Sequence, residues 1–104
     1  MGSTADVLEH HMTALAKGDL DEIMLDYADD AVLISGPEPL RGKAAIEQMF
    51  KNITANPPKL VEDVRVVEGD YAYITWHSDG LPFGTDTFVL RDGKIVCQTV
   101  ALKM

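Results

Sequence analysis

Cysteine and long apolar runs are scarce in this sequence. The one cysteine, Cys97, excludes a disulfide within the chain. No apolar run approaches the length of a membrane-spanning helix, and the first residues lack the basic and then apolar segments of a signal peptide. We therefore expect a cytoplasmic protein with no membrane partner.

Basic residues are also few. Nine lysine and arginine residues stand against 17 aspartate and glutamate residues, and the formal net charge is -8. Such a surface repels phosphate backbones, and the basic residues are scattered, so nucleic acid is not an expected partner. The sequence has no glycine-rich phosphate loop and no spacing typical of metal ligands, so we expect no cofactor and no metal site.

The chain has the size and composition of one folded domain. Its 104 residues are close to the commonest domain length, and 46% of them are hydrophobic. No linker, internal repeat or low-complexity tract interrupts it. We assign residues 1–104 to a single domain.

Apolar spacing predicts two helices at the start of the chain. The first covers residues 3–17, and Ser3 with Asp6 has the pattern of a capping box. Gly18 ends this helix and Asp19 caps the next one. The apolar stripe of the second helix, at i, i+3, i+4 and i+7 spacing, comprises Leu20, Ile23, Met24 and Tyr27.

A short strand and a third helix follow. The strand is predicted at residues 31–34, with the Asp29-Asp30 pair as a solvated segment before it. The glycine and prolines of residues 35–40 interrupt regular structure. The third helix begins after Gly42, and Asn56-Pro57-Pro58 ends it.

The second half of the chain is predicted to consist of strands joined by turns. Strands are expected at residues 60–67 and 71–78, followed by a loop at residues 79–82. Residues 84–102 have the pattern of a hairpin with a tight turn at Asp92-Gly93. Helices followed by turn-linked strands are typical of an α+β fold with an antiparallel sheet and helices on one face.

A family resemblance rests on two segments, KGDLDEIMLDYADDAVLISGPEPLRGKAAIEQMF (residues 17–50) and GTDTFVLRDGKIV (residues 84–96). Together they resemble the nuclear-transport-factor-2-like superfamily, and within it the SnoaL-like and ketosteroid-isomerase branches. The resemblance implies a cystatin-like α+β barrel, in which a cone-shaped, curved antiparallel sheet wraps around three N-terminal helices and leaves a pocket. It also implies a homodimer that packs through the outer face of the sheet.

Strand alternation divides the residues of the last strands between two faces of the sheet. Asp86 shares a face with Phe88, and Val96 shares one with Gln98, opposite Ile95. Alternation does not say which face is inside, but the resemblance does, because the oxyanion-hole carboxylic acid of ketosteroid isomerases falls at Asp86. The implied pocket residues on the strands are Ile74, Trp76, Asp86, Phe88, Gln98 and Val100. The helices and the first strand would add His11, Leu15, Tyr27, Ser35, Met49 and Phe50.

Asp86 has two possible roles. An apolar pocket would raise its pKa, and a neutral carboxylic acid could donate a hydrogen bond to a carbonyl or enolate oxygen, as in ketosteroid isomerase. Alternatively, Asp86 is ionised, is held by Gln98, His11 or backbone donors, and shapes the pocket without taking part in a reaction.

The other catalytic positions of the ketosteroid isomerases are replaced. Ser35 falls at the position of the carboxylate base, His11 at the oxyanion tyrosine, and Phe50 at the tyrosine that supports it. Steroid isomerisation is therefore not expected. His11 and Asp86 remain a candidate catalytic pair for acid/base chemistry on a carbonyl compound. The sequence shows no orienting partner for His11, and it places His10 and His77 at the surface.

Three functions remain open at this point. The chain holds a small hydrophobic or aromatic ligand in a conical pocket, or it is an isomerase- or cyclase-type enzyme that uses Asp86 and His11. In the third case it is a structural or interaction module whose own side chains fill the core. A cavity of at least ~300 Å³ lined by Asp86 and Trp76 separates the first two from the third.

Overall fold

Three helices and six strands make up the described part of the chain, which covers residues 3–103 of the computed structural model. Residues 1, 2 and 104 of the predicted domain lie outside this part. None of the three helices is long and apolar enough to cross a membrane. Their order and the sheet that follows confirm the predicted α+β fold class.

The first two helices lie where their caps predict them. Helix α1 spans Thr4–Lys17 and helix α2 spans Leu20–Leu25. The side chains of Ser3 and Asp6 each accept a hydrogen bond from the other's backbone N–H, which is a capping box. Gly18 ends α1 in the left-handed conformation (φ 69°) that favours glycine.

The predicted stripe of the second helix was wrong at Tyr27. Helix α2 ends two residues earlier, and strand β1 spans Tyr27–Ile34. The Ile95 N–H donates to the Asp26 carbonyl at 2.7 Å, and this hydrogen bond brings the chain onto the sheet at that point. The Asp29-Asp30 pair lies within β1 rather than before it. Spacing could not show this, because the last position of a helix stripe and the first of a buried strand are both apolar.

A two-residue strand and the third helix follow β1. Strand β2 spans Leu40–Arg41 and pairs with β1 in the antiparallel sense. Helix α3 spans Lys43–Ala55, so it begins after Gly42 and ends before the two prolines, as the sequence predicts.

Four long strands complete the sheet: β3 at Val61–Glu68, β4 at Tyr71–Ser78, β5 at Leu81–Arg91 and β6 at Lys94–Lys103. The loop predicted at residues 79–82 was too long, because Leu81 already pairs with Ser78. Gly80 has a positive φ (85°), and this lets the chain reverse within two residues. Asp92 and Gly93 also have positive φ values (53° and 76°), as a type I′ hairpin turn requires.

The six strands form one sheet in the order β2-β1-β6-β5-β4-β3. All neighbouring pairs are antiparallel except β1 and β6, which are parallel. The sheet is thus mixed rather than wholly antiparallel as predicted. No hairpin connects β1 to β6, so no turn imposes an antiparallel direction on this pair.

A β-bulge at Val96 changes the face assignment of β6. Leu90 pairs with Ile95, whereas Val89 pairs with Cys97, so Val96 is the extra residue. The predicted common face of Val96 and Gln98 was therefore wrong. Ile95, which is 1% exposed, lies in the core and Gln98 is also buried.

The core lies between the helices and one face of the sheet. The helices contribute Leu8, His11, Ile23, Met24, Ile46 and Phe50 to it. The sheet contributes Leu33, Ile74, Phe88, Leu90 and Ile95. The site described next lies between this face of the sheet and helices α1 and α3.

Candidate functional site

A cavity of about 400 Å³ opens between the sheet and the helices α1 and α3. From the helices and the segment after β1, the residues predicted for the site that line it are His11, Leu15, Ser35, Met49 and Phe50. From the last three strands they are Trp76, Asp86, Gln98 and Val100. Most of this wall is apolar, and its polar groups lie on separate elements.

Three residues predicted to line the pocket lie elsewhere. Tyr27, Ile74 and Phe88 are fully buried and do not reach the cavity. Strand alternation shows which face of the sheet a residue lies on, but it does not show whether that part of the face lines the cavity or packs against a helix. These three positions lie where the helices pack directly on the sheet.

Part of the cavity wall was not predicted. It consists of Ile53, Pro58, Leu60, Ser78, Leu81 and Leu102. Ile53 follows Met49 at helical spacing, which could have indicated its face. The others lie at strand ends or in connections, whose positions only the tertiary fold determines.

The carboxylate of Asp86 receives two hydrogen bonds from neighbouring strands. Trp76 Nε1 donates to Oδ1 at 2.9 Å, and Gln98 Nε2 donates to Oδ2 at 3.0 Å. The Tyr27 hydroxyl in turn donates to Gln98 Oε1. The predicted bond from Gln98 is thus present, whereas the bond from Trp76 was not predicted. Trp76, Asp86 and Gln98 form the polar floor of the cavity, and Tyr27 bonds to Gln98 from the core.

Burial is the main influence on the pKa of Asp86, and it raises this pKa above its ordinary value. The hydrogen bonds from Trp76 and Gln98 oppose the rise, and so does the positive charge of His11 whenever its ring is protonated. The pKa of the Tyr27 phenol is also raised, first by burial and then by the charges of Asp86 and Asp26. Tyr27 therefore stays neutral and remains a hydrogen-bond donor.

The indole of Trp76 lies directly over the backbone of Gly84. A Cβ atom placed on Gly84 would lie 2.3 Å from Cζ2 and 2.4 Å from Cε2 of Trp76. The two residues pair across β4 and β5, and Asp86 follows two positions later on the same face. The missing side chain at residue 84 thus makes room for the ring that bonds to Asp86.

His11 is buried on the cavity wall, with 1% of its surface exposed. Its ring contacts the rings of Tyr27, Phe88 and Phe50 edge-on, at centroid distances of 5.4, 5.6 and 6.0 Å. Its Nδ1 has no hydrogen-bond partner among residues 3–103. The Asp26 carboxylate is 3.5 Å from this nitrogen, so an acidic partner for His11 is present that the sequence did not reveal.

His10, predicted at the surface, is 40% exposed in its side chain but is bonded on both ring nitrogens. Nδ1 lies 2.8 Å from the Asp26 carboxylate, and Nε2 lies 2.9 Å from Glu22 Oε1. These bonds, that to Glu22 first, raise the pKa of His10 above its ordinary value although partial burial opposes the rise. His77 bonds to Asp63 at the surface, as its predicted position allows.

Within residues 3–103, no three His, Cys, Asp or Glu side chains are grouped closely enough to hold a metal ion. The side chains on the cavity wall that can exchange protons or hydrogen bonds are Asp86, His11, Gln98, Ser35, Ser78 and the indole N–H of Trp76.

Comparisons with known proteins extend over most of the chain. Residues 8–98 match the family model of the SnoaL-like domain. An NTF-2-like protein of unknown function from Burkholderia xenovorans has a TM-score of 0.83 at 22% identity, covering 96% of this chain and 82% of that one. The epoxide hydrolase/cyclase-like enzyme SalBIII, of pyran ring formation in salinomycin, has a TM-score of 0.85 at 16% identity, with 97% and 91% covered.

A putative polyketide cyclase from Sinorhizobium meliloti is similar as well. Its TM-score is 0.76 at 22% identity, covering 91% of this chain and 93% of that one. At these identities the structural similarity establishes the fold, and the chemistry has to be inferred from the residues in the cavity.

Proposed function

The chain belongs to the SnoaL-like family, and from this premise we propose that it binds a small hydrophobic or aromatic ligand in the cavity between sheet and helices. The observation that carries the proposal is the open volume of about 400 Å³. Ligand sites typically have about 300–1,000 Å³. A module with a filled core would have no such space.

The wall of the cavity supports an apolar ligand with one polar group. Leu15, Met49, Phe50 and Val100 supply apolar and aromatic surface, which contributes affinity when it is removed from water. A few convergent polar groups then orient the ligand. Asp86 lies directly opposite Val100 in the sheet, so a ligand that contacts the carboxylate also contacts this valine.

Val100→Phe is expected to weaken ligand binding at least about tenfold, a loss of ~1.4 kcal/mol, because the larger side chain occupies space next to Asp86. Trp76 is the single tryptophan and lies on the cavity wall, so its fluorescence reports occupancy directly. Candidate ligands would come from mass spectrometry of small molecules that co-purify with the protein. Binding would then be measured by titration of the Trp76 emission.

Ile34→Phe is the matched control for this experiment. Ile34 is exposed on β1 and does not line the cavity, so the variant should bind like the wild-type protein. The proposed function is wrong if Val100→Phe and Ile34→Phe bind the same ligand equally well. It is also wrong if no small molecule changes the Trp76 emission of the wild-type protein.

A second candidate function is acid/base catalysis of the isomerase or cyclase type by His11 and Asp86. Both residues line the cavity from different elements, and a carboxylate lies beside His11. SalBIII and the putative polyketide cyclase are similar in fold, which is compatible with such chemistry. Steroid isomerisation is not proposed, because the serine at the position of the isomerase base, Ser35, is a poor base near neutral pH.

We also propose a homodimer that forms through the outer face of the sheet. Val66 and Tyr73 are paired on this face, and they are exposed together with Tyr71 and Val64. Contiguous apolar surface of this kind often marks an interface between proteins. Sedimentation velocity should give a dimer that Val66→Glu shifts to monomer, since a buried unpaired charge is unfavourable. A wild-type monomer at micromolar concentration would contradict the proposal.

A further inference from the structure

The His10 ring bridges two carboxylates. Its Nδ1 is 2.8 Å from each oxygen of Asp26, and its Nε2 is 2.9 Å from Glu22 Oε1. An ionised carboxylate only accepts hydrogen bonds, and a neutral imidazole has one N–H to donate. Both bonds can form only if His10 carries a proton on each nitrogen. His10 is therefore an imidazolium that balances the charge of Asp26.

Asp26 also faces the buried ring of His11. Its Oδ2 lies 3.5 Å from His11 Nδ1, a nitrogen that has no hydrogen-bond partner among residues 3–103, so this edge of the ring faces a negative oxygen. A bare Nδ1 would direct its lone pair at a negative oxygen, whereas a protonated Nδ1 is attracted to it. The edge-on contacts with three aromatic rings restrict rotation of the imidazole away from this arrangement. The favoured neutral tautomer has its proton on Nδ1.

We propose that Asp26 is a positioning residue, which holds His11 with Nδ1 protonated and with the Nε2 lone pair available to the cavity. The positive charge of His10 partly offsets the charge of Asp26 and so determines how strongly Asp26 favours this tautomer. The proposal deepens the proposed function and rests on it, because it assigns chemistry to the same cavity. It also narrows the ligand class. A bare nitrogen accepts a hydrogen bond, so the ligand is one with a donor. Among hydroxyl donors, a phenol or an enol is acidic enough to pass its proton reversibly to an imidazole, whereas an ordinary alcohol is not.

A reversible proton transfer follows from this arrangement. The ligand O–H bond breaks as an N–H bond forms at His11 Nε2, which leaves an oxyanion on the ligand and an imidazolium at His11. The Asp26 carboxylate stabilises that imidazolium. No other reactant is needed.

Several other charged groups act on His11 and Asp26. Asp86 faces His11 across the cavity from β5, and its carboxylate attracts the imidazolium that forms when His11 Nε2 accepts a proton. Lys94 of β6 donates to the Leu25 carbonyl at 2.6 Å, next to Asp26. Asp6 of α1 and Asp92 of the β5–β6 turn line a second, more open cavity together with Asp26 and His10. The neutral Tyr27 adds no charge.

The tautomer of His11 can be read by two-bond ¹H–¹⁵N correlation NMR of the ligand-free protein. In the wild-type protein, His11 should show a protonated Nδ1 and a bare Nε2, and His10 should show two protonated nitrogens at neutral pH. A wild-type His11 with its proton on Nε2 would overturn the proposal.

Two variants should move His11 in opposite directions. Asp26→Asn removes the carboxylate, so the ratio of the Nδ1-protonated to the Nε2-protonated neutral tautomer of His11 should fall at least about threefold. His10→Gln leaves Asp26 charged without its cation, so the same ratio should rise. A purely structural role would not produce opposite signs, and an unchanged His11 in both variants contradicts the proposal.

Glu22→Gln is the control, because it alters His10 at the solvent side and leaves Asp26 in place. It should lower the pH at which His10 loses its second proton and leave the His11 tautomer unchanged. If Asp26→Asn fails to fold, the comparison of His10→Gln with Glu22→Gln still tests the role of Asp26. An equal change in the His11 tautomer ratio in those two variants would contradict that role.

Ligand preference gives a readout that is separate from the tautomer. Calorimetry with 1-naphthol and with its methyl ether, 1-methoxynaphthalene, should show roughly two- to tenfold tighter binding of the hydroxyl compound. Equal affinities would overturn the assigned ligand class. If neither compound binds while the NMR pattern is as expected, the assigned ligand class fails and the positioning role of Asp26 stands.

Discussion

Replacing Gly84 with alanine is expected to lower the free energy of unfolding by about 1–3 kcal/mol, the usual cost of overpacking. The new methyl group would lie within 2.6 Å of three atoms of the Trp76 ring. The backbone at residue 84 is not in the positive-φ region, so the cost is steric rather than conformational. The indole has to move away, and its hydrogen bond to Asp86 is then broken.

Unfolding by urea, followed by circular dichroism, would measure this loss, and Trp76 emission would report the displaced ring. Gly36→Ala is the matched control, because a methyl group there meets no atom within 4 Å. Its free energy of unfolding should change by less than ~0.5 kcal/mol, as for most surface substitutions. An equally stable Gly84→Ala protein with unchanged emission would show that the indole does not lie over Gly84.

Gln98→Leu is expected to cost about 2–5 kcal/mol, because it leaves two buried polar groups without a partner. The Tyr27 hydroxyl would lose its acceptor, and Asp86 Oδ2 would lose its donor. Leucine is close to glutamine in size, so no large cavity contributes to the loss. Tyr27→Phe removes one of the orphaned groups in advance, and in that background Gln98→Leu should cost less.

The cost of Gln98→Leu should also depend on pH. A carboxyl group whose pKa is raised on folding stabilises the fold below its unfolded pKa of about 3.9, and this contribution is lost as the pH rises through the folded pKa. The Gln98 donor lowers the pKa of Asp86, so its removal raises that pKa further. The free energy difference between wild type and variant should therefore be larger at about pH 8 than at about pH 4. An equal difference at both values would mean that Gln98 has no effect on the ionisation of Asp86.

Local signals in the sequence predicted most of the fold. The capping box at Ser3 and Asp6 and the turn at Asp92-Gly93 each depend on a few adjacent residues, so they can be read without tertiary information. The aromatic and β-branched residues at 71–78 likewise identified β4. Asp86, Gln98 and His11 were placed on the cavity wall because the family resemblance supplied the inner face.

Features that depend on distant parts of the chain could not be predicted. The bulge at Val96 shifts the pairing of β6, and nothing in the alternation of that strand marks it. The contact between Asp26 and His10 joins helix α1 to the C-terminal end of α2, and no local sequence signal links these two residues. The fit of Trp76 over Gly84 depends on the register of β4 and β5, which is a property of the whole sheet.

The parallel pairing of β1 with β6 has a kinetic consequence. Tyr27 pairs with Ile95, and Leu33 pairs with Gln98, so this seam joins parts of the chain that are far apart in sequence. Helices and hairpins form by closing short loops, whereas pairing β1 with β6 closes a long loop. The conformational entropy lost on closing that loop must be overcome before the β1–β6 contacts stabilise the chain. The hydrogen bond from Tyr27 to Gln98 crosses the same seam. The polar floor of the cavity is thus complete only when β1 and β6, the first and last strands in sequence, have paired. A partly folded chain in which they are still apart lacks the binding site.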